Sequence, residues 1–283
     1  MRSTGRAAIV AAAGLGAVLL GTPGNAVAKE TAGTAVVVGY DVSHPQCDVA
    51  LPADAAFAVI GVNGGIATTV NPCLAEQWEW GQGAAGAVPA ELYLNTANPG
   101  ELREQVSTWP ERGGNRYGAC AGDNSAACSY EYGRARAADD VLMVLDALGE
   151  AGISDVTDLA GMRWWLDVET MNTWQTGGEE AQHNNRAALE GMAEQLTSVG
   201  GQVGLYSTGQ QWNEIVGAVL PWSSLYGLDS WLAGAESRTA AVLGCSDEPL
   251  VAGGRVVLTQ YVLDDLDHDH LCAPESDGDA APR

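Results

Sequence analysis

Positive charge is scarce in this chain: 13 Lys and Arg residues stand against 36 Asp and Glu residues among 283, a net charge of −23. An acidic surface repels phosphate backbones and anionic lipid, so nucleic acid is not an expected partner. The charge alone also fits a surface that serves only solubility. The chain also lacks an internal repeat and a Pro- or Ser-rich linker. These absences predict one domain without a repeat-type binding module.

The first 28 residues have the layout of a secretory signal peptide. Arg2 and Arg6 precede an apolar stretch at 7–20, and Ala26-Val27-Ala28 fits the small-x-small rule of the cleavage site. No later segment reaches the run of about 20 apolar residues that a membrane-spanning helix needs. We therefore expect a leader at 1–28 and a secreted mature chain, extracellular or associated with a cell wall, without a membrane anchor.

The rest of the chain is expected to form one large domain between two short ends. Residues 29–35 would be a linker and 36–272 the folded domain. Residues 273–283 are small, acidic and Pro-containing, which predicts a disordered tail. We expect the mature protein to act as a monomer.

Six cysteines lie in the part predicted to be exported, and no C-x-x-C pair occurs. An even number in an oxidising compartment predicts three disulfides, with a zinc site as the competing use. Connectivity does not follow from sequence, but pairing of neighbours gives the shortest loops and is our expectation: Cys47 with Cys73, Cys120 with Cys128, and Cys245 with Cys272. The second pair would clip a loop at 101–129 that could roof a cleft.

Apolar, β-branched runs alternate with helical patterns along the chain. Strands are predicted at 36–43, 57–65, 91–96, 163–169, 203–208, 231–233 and 256–262, and helices at 72–80, 130–149 and 184–199. Alternation of this kind favours a parallel α/β fold, and polar residues at the strands' C-terminal ends suit a single β/α barrel with its site at that rim. An open doubly wound sheet would need a phosphate-type glycine loop after the first strand, and 41–45 is not one.

Two carboxylates occupy alternate positions in the apolar stretch at 163–170. Residues i and i+2 of a strand project to the same side, about 6.6 Å apart, so Asp167 and Glu169 would face one space. Like charges held that close keep one carboxyl protonated near neutral pH, which supplies a general acid beside a carboxylate. Glycosidic bond cleavage needs such a pair. The alternative is that the motif only caps a loop or binds a cation.

Together these segments resemble the family 25 glycoside hydrolases, the lysozyme-type N-acetylmuramidases, and in particular a secreted offshoot with disulfides. The segment 39–46 is similar to the family's opening D-x-S-x-x-Q strand, and Leu166-Asp167-Val168-Glu169 to its D-x-E. Weaker likenesses follow in the family's order at 204–207, 231–233, 258–261 and 267–269. The resemblance spans roughly residues 38 to 272.

The resemblance implies an irregular TIM-like barrel, in which five β/α units are followed by three strands with few helices. It implies that Glu169 is the general acid and that Asp167 and Asp41 orient the sugar and offset positive charge at its anomeric carbon. The implied substrate is a polysaccharide with N-acetylated β-1,4 linkages, by family default peptidoglycan, and no cofactor or metal is expected. Aromatic faces and an amide suit a sugar, which makes further residues candidate contacts: Tyr93, Tyr206, Trp231 and Gln260.

The sequence departs from the family pattern at three strand ends, at 61–65, at Leu94-Asn95 and at Gly234-Ala235. These departures favour an alternative of another class, a catalytically inactive barrel that binds cell-wall glycan as an envelope or interaction protein.

Two further patterns predict no site. The residues at 265–269 open like a calcium loop, but His270 and Ser276 stand at its turn glycine and bidentate glutamate positions, so we interpret this acidic stretch as a solvated turn. A Ser/His/Asp hydrolase built on 41–44 lacks a G-x-S-x-G elbow.

Overall fold

The computed structural model describes residues 37–84 and 89–272. The predicted signal peptide (1–28), linker (29–35) and tail (273–283) lie outside the described residues. Within the described ranges, no helix has the length and apolar character needed to cross a bilayer.

Eight strands close into a barrel, with a separate two-stranded hairpin inserted between the third and fourth of them. The barrel order is β1-β10-β9-β8-β7-β6-β3-β2, and every neighbouring pair is parallel except those of β10, which runs antiparallel to both β1 and β9. The strands are β1 Val38–Val42, β2 Ala58–Gly61, β3 Glu91–Asn95, β4 Gly113–Asn115, β5 Gly118–Cys120, β6 Arg163–Asp167, β7 Gln202–Ser207, β8 Asp229–Ala235, β9 Val256–Leu263 and β10 Leu266–Leu271.

In the described part of the chain, five α-helices follow five of the strands, which confirms the predicted single irregular barrel. They are α1 Leu74–Gln82, α2 Ala126–Leu148, α3 Glu179–Ser198, α4 Gly209–Ile215 and α5 Arg238–Gly244. The irregularity differs in detail from the expected order. β1 is followed only by a short 3₁₀ turn and β9 leads directly into β10, so within residues 37–84 and 89–272 no α-helix follows either of these two strands. Both α4 and α5 are just seven residues long.

Strand side chains are buried on both faces of the barrel wall, which explains the nearly continuous apolar runs. Outward-facing residues such as Leu92, Trp164 and Leu205 join one core with the inner faces of the helices. Inward-facing residues form a second core in the middle of the barrel, made of Phe57, Val59, Trp165, Tyr206, Trp231 and Leu258. Glycines make room for its rings, since a Cβ at Gly39 would lie 2.3 Å from the Phe57 ring.

The N-terminal end of the barrel interior is filled by ion pairs. Arg163 Nη1 lies 3.2 Å from Asp229 Oδ2, and Arg163 Nε lies 3.9 Å from Glu91 Oε1. Trp165 Nε1 donates to Glu91 Oε2 at 2.6 Å, which joins this layer to the apolar core above it. With the bottom and middle of the barrel occupied, the C-terminal end is left to form a site.

The three disulfides join neighbouring cysteines, which is the pairing predicted from loop length: Cys47–Cys73, Cys120–Cys128 and Cys245–Cys272. The third joins the residue after α5 to the residue after β10, and so links the last barrel strand to the preceding helix.

The interpretation of the acidic stretch near residue 265 as a solvated turn is wrong for most of its length. Only Asp264 and Asp265 form the turn, and both have positive φ (54° and 60°), as a two-residue hairpin between twisted strands requires. The next six residues form β10, and its Asp269 is completely buried.

Candidate active site

A cavity of about 330 Å³ opens at the C-terminal end of the barrel, where the parallel strands converge. It brings together all seven residues predicted as catalytic or sugar-binding, together with two that were not: Asp41, Tyr93, Asp167, Glu169, Tyr206, Trp231, Gln260, Val262 and Asp267. The placement does not test the roles of these residues, which stay predictions.

The D-x-E pair, Asp167 and Glu169, is positioned by β6 and by two hydrogen bonds to β7 beyond the end of the strand. Asp167 is the last residue of the strand and is only 4% exposed. Beyond it, the Val168 N–H donates to the Tyr206 carbonyl at 2.9 Å, and the Ser207 hydroxyl donates to the Val168 carbonyl at 2.7 Å. These bonds extend the pairing with β7 past the strand end, and Glu169 lines the same cavity as Asp167.

Asp41 is held from the opposite wall by a chain of two hydrogen bonds. Tyr206 donates its hydroxyl to Gln260 Oε1 at 2.9 Å, and Gln260 Nε2 donates to Asp41 Oδ2 at 2.9 Å. Because Tyr206 accounts for the amide oxygen, the amide nitrogen must face the carboxylate. Both residues were predicted as sugar contacts, and the structure uses their polar ends to orient Asp41.

The aromatic candidates differ in exposure. Tyr93 is half-buried at the cavity wall, whereas Trp231 is only 1% exposed. The Trp231 ring packs 4.4 Å from Tyr206 and 6.3 Å from Tyr93, measured between ring centroids. Trp231 therefore forms the floor of the cavity, and Tyr93 offers more surface to a ligand.

Burial dominates the electrostatics of the carboxyl groups. It raises the pKa of Asp41 to about 8, with repulsion from Asp267 adding to the effect and the Gln260 hydrogen bond opposing it. Burial, followed by the charges of Glu169 and Asp41, raises the pKa of Asp167 well above its ordinary value. The pKa of Glu169, which is half-buried, is raised by burial and by Asp267. The cavity therefore holds protons near neutral pH.

The sequence analysis did not predict that Asp267 and Asp269 belong to a strand of the barrel wall. Asp267 lies directly opposite Asp41 in the β1–β10 ladder, and burial raises its pKa. Asp269 lies deeper and accepts a hydrogen bond from Trp231 Nε1 at 2.9 Å. The signal was present, because two acids at i and i+2 is the same pattern that located Asp167 and Glu169.

The long loop at 101–129 does not roof this cavity, contrary to the expectation. Its hairpin, β4–β5, packs instead on the helices: Asn115 Nδ2 donates to the Ala127 carbonyl at 2.9 Å, and the Tyr117 hydroxyl donates to Glu190 at 2.6 Å. None of the loop's residues lines the cavity.

The departures from the family pattern at Asn63 and Asn95 have a structural explanation. Asn63 is completely buried, its Nδ2 donates to Asp140 Oδ1 at 2.9 Å, and its Oδ1 accepts from the Asn95 N–H at 2.8 Å. Asn63 thus ties the ends of β2 and β3 to α2. Gly234 has φ of +93° where the β8–β9 register shifts, a conformation that favours glycine.

Larger cavities elsewhere are not lined by any of the predicted catalytic or sugar-binding residues. One of about 440 Å³ lies at the opposite end of the strands around Glu91 and Arg163, and one of about 560 Å³ lies between β8 and α5. Across residues 37–84 and 89–272, no cluster of three or more His, Cys, Asp and Glu side chains is arranged to hold a metal ion.

In sequence, residues 140–239 match the family described as Lysozyme-like protein 1. Lysozyme-like protein 5 of Caenorhabditis elegans is 39% identical over 84 residues, which are 29% of this chain and 34% of that protein. The chain thus spans about a third of the length of this curated relative. Both matches support a lysozyme-like family.

Solved structures with similar folds include a muramidase from Trichobolus zukalii, with a TM-score of 0.47 and 16% identity, covering 84% of this chain and 95% of that one. The modular autolysin LytC from Streptococcus pneumoniae has a TM-score of 0.47 and 10% identity, covering 83% of this chain and 46% of that one.

Proposed function

We propose that this protein is a glycoside hydrolase of the lysozyme type, a member of family 25, that cleaves the N-acetylated β-1,4 glycan of peptidoglycan. The observation that carries the proposal is the convergence of Asp41, Asp167, Glu169 and Asp267 on one open cavity at the barrel's C-terminal end. The lysozyme-like sequence match at 140–239 supports it, because that segment contains Asp167 and Glu169.

Glu169 is the proposed general acid. It is the most exposed of the three predicted catalytic carboxyls, and its raised pKa keeps a proton available. Protonating the leaving glycosidic oxygen from this position would leave positive charge on the sugar ring. A fixed carboxyl cluster around that ring stabilises such a charge more in the transition state than in the ground state.

Asp167 and Asp41 are the proposed supporting groups. Each pays a high cost for ionisation in the buried site, and a sugar cation would lower that cost as it forms. A carboxylate here could also hold the substrate's 2-acetamido group for attack on the anomeric carbon, as in substrate-assisted glycosidases. Tyr93 would contact the sugar face, while Tyr206, Gln260 and Trp231 shape the floor and orient Asp41.

The proposal includes export of the chain, with 1–28 as leader, 36–272 as the barrel domain and the protein acting as a monomer. Three disulfides agree with an oxidising compartment.

Reducing-end release from purified peptidoglycan tests the activity. The wild-type protein should release new reducing ends, and Glu169→Gln should lose at least about 100-fold of that rate while still binding glycan, because general acid catalysis contributes about 10²–10⁴-fold. Glu214→Gln, an exposed position on α4, is the matched control and should retain activity. Glycan binding without release by the wild-type protein, across several wall types, would favour the inactive binding barrel instead.

A further inference from the structure

We infer that Gln211, in the first turn of α4, is a positioning residue that holds Glu169 and its loop in the orientation needed for proton donation. The inference rests on the proposed function for its catalytic meaning, while the contact itself can be tested separately.

The position of Gln211 is fixed by the end of β7. Thr208 caps α4, and its hydroxyl oxygen accepts a hydrogen bond from the Gln211 N–H at 3.1 Å. Since β7 lies beside β6, this cap places the Gln211 side chain next to the loop that leaves Asp167.

Gln211 then binds the residue after the acid by two hydrogen bonds. Its Oε1 accepts from the Thr170 N–H at 2.6 Å and from the Thr170 hydroxyl at 2.9 Å. On the other side, Trp174 Nε1 donates to the Glu169 carbonyl at 3.0 Å. The backbone of Glu169 is therefore held at both its carbonyl and the next amide, although it lies beyond the end of β6.

The remaining half of the Gln211 amide is a donor. With Oε1 occupied by Thr170, the Nε2 group is left to donate, and we infer that it donates to the carboxyl of Glu169, the residue that precedes Thr170. This bond lowers the pKa of Glu169 against the effects of burial and of Asp267.

The other ionisable groups that face Glu169 either disfavour its negative charge or have a pKa that this charge raises. They are Asp167 on β6, Asp267 on β10 and Tyr206 on β7, whose pKa values are raised in this environment. Gln211 is the hydrogen-bond donor that opposes them. Removing that donor should therefore raise the pKa of Glu169 and move the alkaline limb of the pH profile upward, because the acid must be protonated to act.

Gln211→Glu tests the donor function of the amide separately from its acceptor function. The new carboxylate still accepts from Thr170 but cannot donate to Glu169, and it adds a like charge. We expect the alkaline limb of kcat/KM to rise by about one pH unit, since a hydrogen bond to a charged group contributes about 1.5–3 kcal/mol and one pKa unit corresponds to about 1.4 kcal/mol. Gln210→Glu, with the same change at the exposed neighbouring position, should keep the wild-type limb.

Gln211→Met removes both donor and acceptor without adding charge and serves if Gln211→Glu does not fold. We expect the same upward movement of the limb and, in addition, about tenfold lower kcat with little change in KM, because the loop loses its anchor. A wild-type alkaline limb in a folded Gln211 variant would overturn the inference.

A ¹³C titration of the Glu169 carboxyl, assigned by comparison with Glu169→Gln, reads the contact without any substrate. A pKa of Glu169 that rises in both Gln211 variants supports the contact even if no glycan is cleaved, in which case only the proposed function fails. A pKa that does not move overturns the inference, whatever the activity of the wild-type protein.

Discussion

Asp140 is a buried carboxyl outside the cavity. Replacing it with Asn should remove a loss of stability that occurs as the pH rises. It lies on α2, is 1% exposed, and accepts from Asn63 Nδ2 through Oδ1. Its Oδ2 has no hydrogen-bond partner among the described residues. Burial raises its pKa to about 7, although the Asn63 hydrogen bond and Arg136 both lower it.

The direction in which stability changes with pH follows from proton linkage. Between the unfolded pKa of 3.8 and the folded pKa of about 7, the folded protein binds more protons than the unfolded chain, so stability falls as pH rises. A difference of about 3 pKa units at about 1.4 kcal/mol each gives a loss of about 4 kcal/mol, which is complete above pH 7. Asp140→Asn keeps an oxygen for Asn63 and cannot ionise, so it avoids this loss.

Urea unfolding of both proteins from pH 4 to pH 9 measures the effect. The free energy of unfolding of Asp140→Asn, relative to wild type, should increase by about 4 kcal/mol between pH 4 and pH 8. Contributions from the carboxyls of the cavity cancel in this difference. Asp146→Asn, at an exposed position of the same helix, is the control and should follow the wild-type curve. Parallel curves for Asp140→Asn and wild type would refute the reasoning.

Three further changes test other parts of the structure. Gln260→Leu removes the donor to Asp41 and should lower kcat about 10- to 100-fold in steady-state assays with little change in KM, because Asp41 is proposed to carry charge only as the sugar cation forms and a hydrogen bond to a charged group contributes about 1.5–3 kcal/mol. Gly133→Ala would place a Cβ 1.9 Å from a backbone carbonyl oxygen of α3 and should cost about 3 kcal/mol in urea unfolding, whereas Gly149→Ala, with open space around it, should cost far less. Replacing the Cys120–Cys128 pair by serine should cost about 2–3 kcal/mol of stability and leave glycan cleavage intact, since the loop does not line the cavity; a large loss of activity would contradict that.

The barrel, and the grouping of the candidate-site residues in one cavity, could be predicted because parallel strands leave a recognisable sequence pattern. Their runs are apolar on both faces, and each ends in polar residues at the same rim. The pair Asp167 and Glu169 stood out because carboxylates are rare in such a run.

β10 could not be found in this way. One of its faces carries Asp267, which lines the polar cavity, and the buried Asp269, while the alternate positions include His268 and His270, so neither face gives an apolar signal. Its antiparallel direction also broke the expected alternation of strand and helix. Local polarity predicted a turn, and tertiary context made it a buried strand.

The positions of Asn63 and Gln211 could not be predicted for a different reason. Each acts through a contact with a distant segment, Asn63 with α2 and Gln211 with the loop after β6. The seven-residue α4 is too short to show a clear periodicity. Sequence patterns report burial along one element, and they carry little information on which polar side chains meet between elements.

The antiparallel β10 closes the barrel between β1 and β9, and this joins opposite ends of the folded domain at the cavity. Asp41 comes from the first strand and its ladder partner Asp267 from the last, while Gln260 reaches Asp41 from β9. A nascent or partly unfolded chain without that closing hairpin therefore has only part of its acid cluster and no enclosed pocket. Under the proposed function, such a chain cannot cleave glycan until β9 and β10 have paired and closed the barrel.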